Sequence, residues 1–563
     1  MTNKDIVRQL KLTASLLELH GANPFKTKAY GSAVFVIERM QEPLGEKDID
    51  AIVGLGISKG MAAKIIEIRD NNSFPELDEL LGQTPKGLLD MLQIKGIGAK
   101  KIRTIWQELD VTTVVGLMEA CQAGEVAKLK GFGAKTQQTI IDQIEYIESN
   151  QGKLLYSQAE LFAEKLEAHL KAELKDCEVS LSGEFRMNHA IIEKLQLVVG
   201  ADDFMQVRNV LNDISDLKTH EKLSGPLVWR GEVAENTLPV EVVFSSKSNF
   251  GNELISQSAS PKHLNTTIRE KKISQLLRTE SFATEQAIYD RLELPFIEPE
   301  LREGSFELDL ARENKLPQLL TYEELKGTVH NHSTYSDGKH TLEEMALKAK
   351  ELGLEYLGIS DHSKTASYAN GLSEERIKEQ HAEIDELNKK LAPFKILKGI
   401  ESDILGDGSL DYSDEVLASF DFIVSSIHAN LKMDETKATE RLLGAIRNPY
   451  TSILGHPTGR LLLKREGYPI DHKTVIDACA EHNVCIEINA NPLRLDLDWK
   501  WVHYALSKKV MIAINPDAHD KEKYTDMKYG VLVGRKAGLT KEMTLNAMSL
   551  AEIEGWLASR KRK

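Results

Sequence analysis

Cysteine is scarce in this chain of 563 residues, which contains only four. Cys121, Cys177, Cys479 and Cys485 are too few and too scattered for a disulfide framework or a CxxC metal site. No stretch approaches the ~18 consecutive apolar residues of a membrane span, and the amino terminus lacks the apolar core of a signal peptide. These absences predict a cytoplasmic protein with reduced thiols and no membrane contact.

Positive charge is also in short supply, because the formal net charge is −15. This value argues against a uniformly basic surface that would coat nucleic acid, so any such contact must come from local basic patches or backbone amides. The apolar fraction of 41% and charged fraction of 28% are ordinary for globular proteins. The length predicts roughly three to four domains.

Three segments of the first 150 residues resemble one another: "VGLGISKGMAAKIIEI", "LQIKGIGAKKIRTIW" and "AKLKGFGAKTQQTII". Each has an apolar residue before a Gly-x-Gly-like turn and an amphipathic helix after it, and Ser58 replaces the second glycine of the first copy. Amides at such a helix start suit a phosphate. Between Lys86 and Arg103, five basic residues face one acid.

These segments are similar to the helix-hairpin-helix motif, which binds DNA phosphates without reading sequence. The alternative is a set of ordinary helix turns. The resemblance predicts DNA contacts by Gly96, Gly98, Lys100, Lys101, Gly131, Gly133 and Lys135. In some relatives a lysine of the first hairpin attacks an abasic sugar, and Lys64 lies at the matching place, although a phosphate contact or a solvated helix position is the commoner role.

Residues 151–312 mix helix and strand, and "LSGEFRMNHAIIEKLQLVVG" and "LPVEVVFSS" are predicted as edges of a small sheet. Gly183 and Arg186 match two positions of the motif GS-x-RR, in which Glu184 replaces the serine and Met187 the second arginine. Together with the hairpins, this region resembles a bacterial family X DNA polymerase, which implies an α+β nucleotidyltransferase-like palm. That family continues with an Asp-x-Asp pair and a third aspartate on a neighbouring strand.

The carboxylates of that family are replaced here. Lys194 and Gln196 stand where the aspartate pair is expected, and Glu241 occupies the third position. Nucleotidyl transfer requires carboxylates that bridge two cations beside the triphosphate, and a lysine repels those ions. We therefore predict that templated nucleotide addition is lost or very weak.

From Gly327 onward, short apolar runs alternate with helical patterns, and most runs end in His, Asp or Glu. The runs are "GTVHNH", "YLGISDH", "KILKGIE", "DFIVSSIH", "TSILGH", "VCIEINAN" and "VMIAINPDAH". Alternating strand and helix predicts a parallel sheet, and about seven repeats predict closure into a barrel with its active site at the carboxyl ends of the strands. His330 and His332 alternate with Asn331, so both imidazoles point to one face.

The ordered motifs H-x-H, D-H, E, H, G-H-P and D-A-H resemble the polymerase and histidinol phosphatase (PHP) family, which implies a distorted (βα)7 barrel. The resemblance implies three ions: one held by His330, His332, Glu401 and Asp517; a second by Glu401, His428 and His456; and a third by Asp337, His362 and His519. The residues predicted to act in catalysis are Glu401, Asp337, His428 and Asp517. Mixed imidazole and carboxylate ligands suit Mn, Zn or Fe. Arg460, just past one ligand, is predicted to bind a phosphate, or else is solvated.

The predicted domains are a helix-hairpin-helix, lyase-like domain (1–85), a fingers-like hairpin region (86–150), a degenerate palm and thumb (151–312), a linker (313–326) and the PHP domain (327–563). The leading hypothesis is a DNA-repair protein whose PHP domain acts as a Mn-dependent 3′–5′ exonuclease or processes 3′ ends, and the family also implies cleavage at abasic sites. The expected partner is gapped, nicked or 3′-ended DNA. The alternatives are an active family X polymerase with exonuclease activity, a small-molecule phosphatase of the histidinol phosphatase type, or a non-enzymatic DNA-binding scaffold.

Overall fold

The computed structural model describes residues 3–38, 40, 44, 47–94 and 96–560. It divides into two compact units, Met1–Gln151 and Gly152–Lys563. Within the described part of the chain, every helix is too short or too polar to traverse a bilayer.

The first unit is helical. Its helices are α1 (Asn3–Leu19), α2 (Pro24–Glu38), α3 (Ile49–Gly54), α4 (Lys59–Asn71), α5 (Pro75–Gln83), α6 (Lys86–Met91), α7 (Ala99–Leu109), α8 (Val114–Gln122) and α9 (Ala134–Ser149). Leu10, Leu16, Ile68, Ile102 and Ile144 are fully buried in one shared core. The amphipathic helices predicted after the three turns are α4, α7 and α9.

The second unit begins with a small mixed sheet. The strands of this region are β1 (Leu154–Leu155), β2 (Glu178–Ser182), β3 (Ile191–Ile192), β4 (Leu195–Gly200), β5 (Leu217–Thr219), β6 (Val228–Val233), β7 (Pro239–Ser245), β8 (Thr267–Ile268) and β9 (Lys271–Lys272). Outside the mixed sheet, β1 pairs with β3 and β8 pairs with β9. The sheet has the order β2-β4-β7-β6-β5, with β4 and β7 parallel. The sequence predicted these segments as edges, which is right for β2 and wrong for β4 and β7. Those two strands are apolar because they lie inside the sheet.

Eight helices accompany this sheet: α10 (Tyr156–Glu173), α11 (Gly183–Arg186), α12 (Phe204–Asn212), α13 (Phe250–Gln257), α14 (Pro261–Asn265), α15 (Ile273–Thr279), α16 (Glu285–Leu292) and α17 (Glu307–Arg312). The following segment, 313–326, packs against the rest of the unit. Leu320 is fully buried, and its N–H donates to the carbonyl of Leu539 at 2.9 Å.

Seven parallel strands form the second sheet, in the sequence order that the apolar runs predicted. They are β10 (Gly327–Thr328), β11 (Tyr356–Ile359), β12 (Lys395–Asp403), β13 (Phe422–Ser426), β14 (Ile453–Leu454), β15 (Cys485–Asn489) and β16 (Ile512–Asn515). The ends of the sheet approach each other, since the His332 N–H donates to the Ala518 carbonyl at 2.9 Å. The prediction of a seven-stranded parallel barrel is therefore confirmed, with closure nearly complete.

The outer helices of the barrel are α18 (Leu342–Glu351), α19 (Glu374–Leu391), α20 (Asp414–Leu417), α21 (Glu435–Ile446), α22 (His472–His482), α23 (Trp499–Ser507), α24 (Met527–Lys536) and α25 (Leu550–Arg560). Lys395, the first residue of β12, forms an ion pair with Glu554 of α25. Helix α25 thus lies at the amino end of the strands, which leaves the carboxyl rim for the ligand-type side chains.

A buried lysine connects the barrel to the preceding palm region. Lys536, at the end of α24, is 2% exposed and donates to the Met187 carbonyl at 2.9 Å. Its ammonium also pairs with Glu303 at 2.5 Å. Burial lowers the pKa of Lys536, and the Glu303 carboxylate opposes that effect. Because a buried charge needs such partners, palm and barrel contribute to one packed structure.

Candidate functional site

Glu401, at the carboxyl end of β12, stands at the centre of the barrel rim and is 1% exposed. Five imidazoles lie within hydrogen-bonding or ion-pairing distance of its two oxygens. The distances are 3.2 Å to His330 Nε2, 3.7 Å to His332 Nε2, 2.9 Å to His362 Nδ1, 3.2 Å to His428 Nε2 and 3.0 Å to His456 Nε2. A single carboxylate therefore faces the ends of four other strands.

The remaining predicted ligands complete the cluster on one side. Asp517 Oδ1 lies 3.1 Å from His332 Nε2 and 3.6 Å from His330 Nε2. Asp337 Oδ1 lies 3.2 Å from His519 Nε2 and 3.6 Å from His362 Nε2. All nine residues named from the sequence thus meet at one rim, although their assignment as metal ligands stays a prediction.

Three groups within this cluster have ligand atoms no more than 4.8 Å apart. They are His330, His332 and Asp517; His362, Glu401 and His428; and His332, Asp337, His362 and His519. The groups follow the predicted division into three sites only in part: His332 and His362 each take part in two groups, Glu401 takes part in one instead of the predicted two, and His456 is in none of them. The sharing arises because the side chains of neighbouring strands converge at the rim.

Opposite charges dominate the electrostatics of the cluster. Burial raises the pKa of Glu401, but the imidazoles of His428, His330 and His362 outweigh burial and hold the pKa well below its usual value. Burial lowers the pKa of His428, yet Glu401 and Asp403 raise it to about 10. Protons on the imidazoles offset the charge of the carboxylates, and a bound divalent cation would take over that role.

His332 behaves differently from its neighbours. Burial, followed by the charges of His519 and His362, lowers the pKa of His332 to about 3. A neutral imidazole is the form that binds a metal ion. His330 Nε2 and Glu401 Oε2 are buried and lie close to ion-pair partners, but neither atom forms a hydrogen bond of good geometry. Buried polar atoms in this state are costly inside a protein, so the donor set fits divalent cations well.

The outer nitrogens of three imidazoles are held by oxygen atoms. His330 Nδ1 lies 2.7 Å from Glu487 Oε1, and His428 Nδ1 lies 2.6 Å from Asp403 Oδ1. His519 Nδ1 lies 3.0 Å from the Asp517 carbonyl oxygen. Metal-binding histidines usually donate their second N–H in this way, which fixes the tautomer and directs the other nitrogen toward the ion.

Glu487 and Asp403 were missed by the sequence analysis. Glu487 is fully buried inside the apolar strand β15, where a charged residue is unusual. Asp403 follows Glu401 by two residues and therefore lies on the same face of β12. Both signals are present in the sequence, but neither identifies which imidazole the carboxylate contacts.

Replacing Glu487 by glutamine is expected to weaken metal binding roughly 10- to 100-fold, because His330 loses the carboxyl group that orients its ring. Equilibrium dialysis against Mn²⁺ or Zn²⁺ measures this change directly. The matched control is Glu481→Gln, which makes the same change at an exposed position of α22. Equal metal affinity of the Glu487 variant and wild type would contradict the orienting role.

Arg460 turns inward toward the loop between β15 and α23. Its Nε donates to the Arg494 carbonyl at 2.9 Å, its Nη2 to the Leu495 carbonyl, and its Nη1 pairs with Asp498 at 3.1 Å. The phosphate-binding role of Arg460 stays a prediction, and these partners favour a role in holding the loop. That loop brings Arg494 Nε to 3.7 Å from Asp517 Oδ2, beside the cluster.

Two basic side chains of the palm region contact Glu241, which the sequence analysis placed at the third acidic position. Glu241 of β7 accepts from Lys194 Nζ at 2.8 Å, from Arg230 Nε at 2.7 Å and from Gln196 Nε2 at 3.0 Å. Burial raises the pKa of Glu241, but Lys194 and Arg230 outweigh burial and lower it. The negative charge of Glu241 is thus balanced by Arg230 of β6 and by Lys194, which directly precedes β4.

Arg186, which matches the family's arginine motif, is likewise engaged. Its guanidinium donates to both oxygens of Glu285, at 2.8 and 2.6 Å. Arg302, which is fully buried, forms a further ion pair with Glu285. Both oxygens of this acid are therefore occupied, and Arg186 is bound within the protein.

The three hairpin turns share one backbone geometry. Gly56, Gly96 and Gly131 have φ angles of +85°, +92° and +85°, a region that favours glycine. Two residues later in each turn, Ser58, Gly98 and Gly133 precede α4, α7 and α9, and no side chain caps these helix starts. The amides are therefore free of a side-chain acceptor, as phosphate binding requires. Lys100 and Lys135 are exposed at the same starts, and Lys101 is half-buried over Phe132.

Lys64 lies in α4 and is engaged by its neighbours. Its ammonium donates to the Tyr30 hydroxyl at 2.6 Å and forms an ion pair with Glu76, which Lys26 also contacts at 2.5 Å. Lyase chemistry at Lys64 stays a prediction.

Comparison with known families agrees with this layout. Residues 328–491 match the PHP domain, residues 1–74 match a helix-hairpin-helix domain, and residues 88–145 match a SAM-like helix-hairpin-helix tandem. A probable phosphatase of Thermoanaerobacter sp. (strain X514) is 28% identical over 42% of this chain and 95% of its own length. A probable phosphatase of Vibrio atlanticus (strain LGP32) is 30% identical over 35% of this chain and 79% of its own length.

A longer relative aligns from end to end. The DNA polymerase/3′-5′ exonuclease PolX of Bacillus subtilis (strain 168) is 34% identical over 99% of both chains. The match includes the hairpin modules, the palm region and the barrel. Because the similarity covers nearly the whole of both sequences, the chain belongs to the bacterial PolX family, whose members join helix-hairpin-helix modules to a PHP domain.

Proposed function

We propose that this protein is a DNA-repair nuclease that removes nucleotides or blocking groups from 3′ ends at the rim of its PHP barrel. The observation that carries the proposal is the convergence of five imidazoles on the buried Glu401. The donor set suits three ions of Mn, Zn or Fe. The exonuclease named for the Bacillus subtilis relative supports the same activity here.

The residues of the rim have distinct tasks in this proposal. Bound divalent cations would lower the pKa of a water molecule and offset the charge of the phosphoryl oxygens. Glu401 contacts imidazoles from all parts of the cluster. Asp517 and Asp337 supply further negative charge that would help to hold cations. Glu487 and Asp403 hold His330 and His428 in the orientation that directs Nε2 inward. Arg494 supplies a positive charge for a substrate phosphate beside Asp517.

The experiment that tests this activity compares two substrates in parallel. A 5′-labelled oligonucleotide and histidinol phosphate are incubated with the protein and Mn²⁺. Stepwise shortening of the oligonucleotide from its 3′ end is the expected result, and addition of a chelator should stop it. His332→Ala should also abolish the shortening, and a variant that retained full activity would show that the activity has another source.

A small-molecule phosphatase is the second candidate. Two of the relatives, which align with 42% and 35% of this chain, have phosphatase names. A metabolic phosphatase has no use for the hairpin unit, which favours the nuclease. Phosphate release from histidinol phosphate, with the oligonucleotide left intact, would support this second candidate instead.

The hairpin unit is proposed to bind gapped or nicked DNA through phosphates. Lys100→Ala and Lys135→Ala should each reduce the dependence of log affinity on log salt by about 1, because one phosphate contact is lost. Gel shifts with gapped duplex at two or more salt concentrations measure the slope. Lys175→Ala removes an exposed lysine of the second unit and serves as control. An unchanged slope in both hairpin variants would contradict the assignment.

We further propose that templated synthesis is lost or very weak. The support is local: Lys194 and Arg230 each contact one oxygen of Glu241, so two positive charges stand where a cation would approach this acid. Arg186 is bound to Glu285 and cannot reach a triphosphate without breaking that pair. On this proposal, the chain lacks the polymerase activity that is named for the Bacillus subtilis relative.

A further inference from the structure

One aromatic ring stays exposed beside the metal-type cluster. Tyr368 belongs to the short 3-10 helix Ser367–Ala369, which follows β11 and His362 on the carboxyl rim. The side chain is 66% exposed. Its ring centroid lies 6.2 Å from that of His362, one of the imidazoles at Glu401. A large aromatic surface is therefore open to solvent where the substrate must approach.

The charges around the phenol agree with this position. Partial burial raises the pKa of Tyr368, and the carboxylates of Asp403, Glu401 and Asp337 raise it further. The guanidinium of Arg494 acts in the opposite direction. The ring is thus within electrostatic range of the cluster and of the arginine that lies 3.7 Å from Asp517.

The segment that carries the ring is anchored on both sides. Ala366 and Ala369 are each 1% exposed. Upstream, Thr365 Oγ1 donates to Asp403 at 2.8 Å and its N–H donates to Asp411 at 2.7 Å. Downstream, Asn370 Nδ2 donates to the Tyr335 carbonyl at 3.2 Å. The exposure of Tyr368 is therefore a fixed feature of a well-held loop.

We propose that Tyr368 is a stacking platform for the base of the 3′-terminal nucleotide, while Arg494 holds a neighbouring phosphate. The proposal rests on the nuclease function above and names its substrate class, a polynucleotide end that carries a base. An exposed ring offers its face to any of the four bases, so the contact is tolerant of sequence. A small phosphate ester without a base gains no binding energy from this ring. The ring would therefore favour binding of nucleic-acid ends over small metabolites.

The test uses two oligonucleotides that differ only in the last residue, which is either an ordinary nucleotide or a tetrahydrofuran analogue without a base. Tyr368→Ala should raise KM for the ordinary end on the order of tenfold, which corresponds to the stacking of one base. It should leave kcat nearly unchanged and KM for the baseless end unaltered. Tyr368→Phe, which keeps the ring, should behave as wild type.

A second measurement does not depend on turnover. An oligonucleotide with 2-aminopurine at the 3′ end, joined through a phosphorothioate linkage, should lose fluorescence when its base stacks on the ring. The loss should disappear in Tyr368→Ala and persist in Leu347→Ala, which removes an apolar side chain that is 47% exposed on α18. The proposal is overturned if Tyr368→Ala changes KM equally for both ends, or if quenching survives in that variant. A wild-type protein that degrades neither oligonucleotide would instead overturn the nuclease proposal itself.

Discussion

Replacing Glu401 by glutamine is expected to reduce the proposed exonuclease rate on the order of 1000-fold. The amide has nearly the same shape but no charge, and five imidazoles face it. Loss of the carboxylate should release cations and with them several kcal/mol of transition-state stabilisation, where each ~1.4 kcal/mol is a factor of ten. The measurements are metal content of the purified protein and the rate of 3′ shortening in Mn²⁺.

The control for this change is Glu415→Gln, which removes one charge from an exposed position of α20. It should bind metal and degrade DNA as wild type does. Circular dichroism of both variants shows whether the barrel is intact. A folded Glu401→Gln protein with wild-type metal content would refute the central position assigned to this carboxylate.

Primer extension is expected to remain undetectable in Mg²⁺ and in Mn²⁺. The reason is electrostatic: the ammonium of Lys194 lies 2.8 Å from Glu241, and the guanidinium of Arg230 lies 2.7 Å from its other oxygen. A divalent cation would have to displace both positive charges and would then find Gln196, a neutral amide, as its neighbour. Like charges at such distances repel strongly in a partly buried site.

Degradation of the primer would mask weak synthesis, so the assay is best done with Glu401→Gln, whose barrel should be inactive. A gapped template with labelled primer and all four deoxynucleoside triphosphates gives the readout. Templated extension in this background, abolished by Glu241→Gln, would show that the palm still holds its ions. The absence of any product at high protein concentration is the expected outcome.

The arrangement of the rim followed largely from the sequence. Parallel strands must present their carboxyl ends at one edge, so the residues at or just beyond the ends of β10, β11, β12, β13, β14 and β16 could be expected to meet there. Two of these strands, β10 and β14, have only two residues each. Their apolar runs in the sequence still located the ligand-type residues, because the buried stretch of chain is longer than the two residues that pair with the neighbouring strands.

Side-chain partners could not be predicted in the same way. The sequence marked Arg460 as a basic residue near a ligand, but its direction depends on a loop that offers two backbone carbonyls. Arg494 reaches the cluster only because that loop folds back over the rim. Similarly, the pattern predicted a lysine, Lys194, at a position where the family binds cations, whereas the approach of Arg230 from β6 depends on strand register.

Lys536 ties the stability of the barrel to the region that precedes it. Its ammonium belongs to the barrel, yet the oxygens that satisfy it come from Met187 and Glu303, both upstream. Loss of the Glu303 carboxylate with the palm still in place would leave this buried ammonium without its charged partner, a defect that costs about 3–5 kcal/mol. The stability of the nuclease barrel therefore depends on upstream residues that take no part in its chemistry.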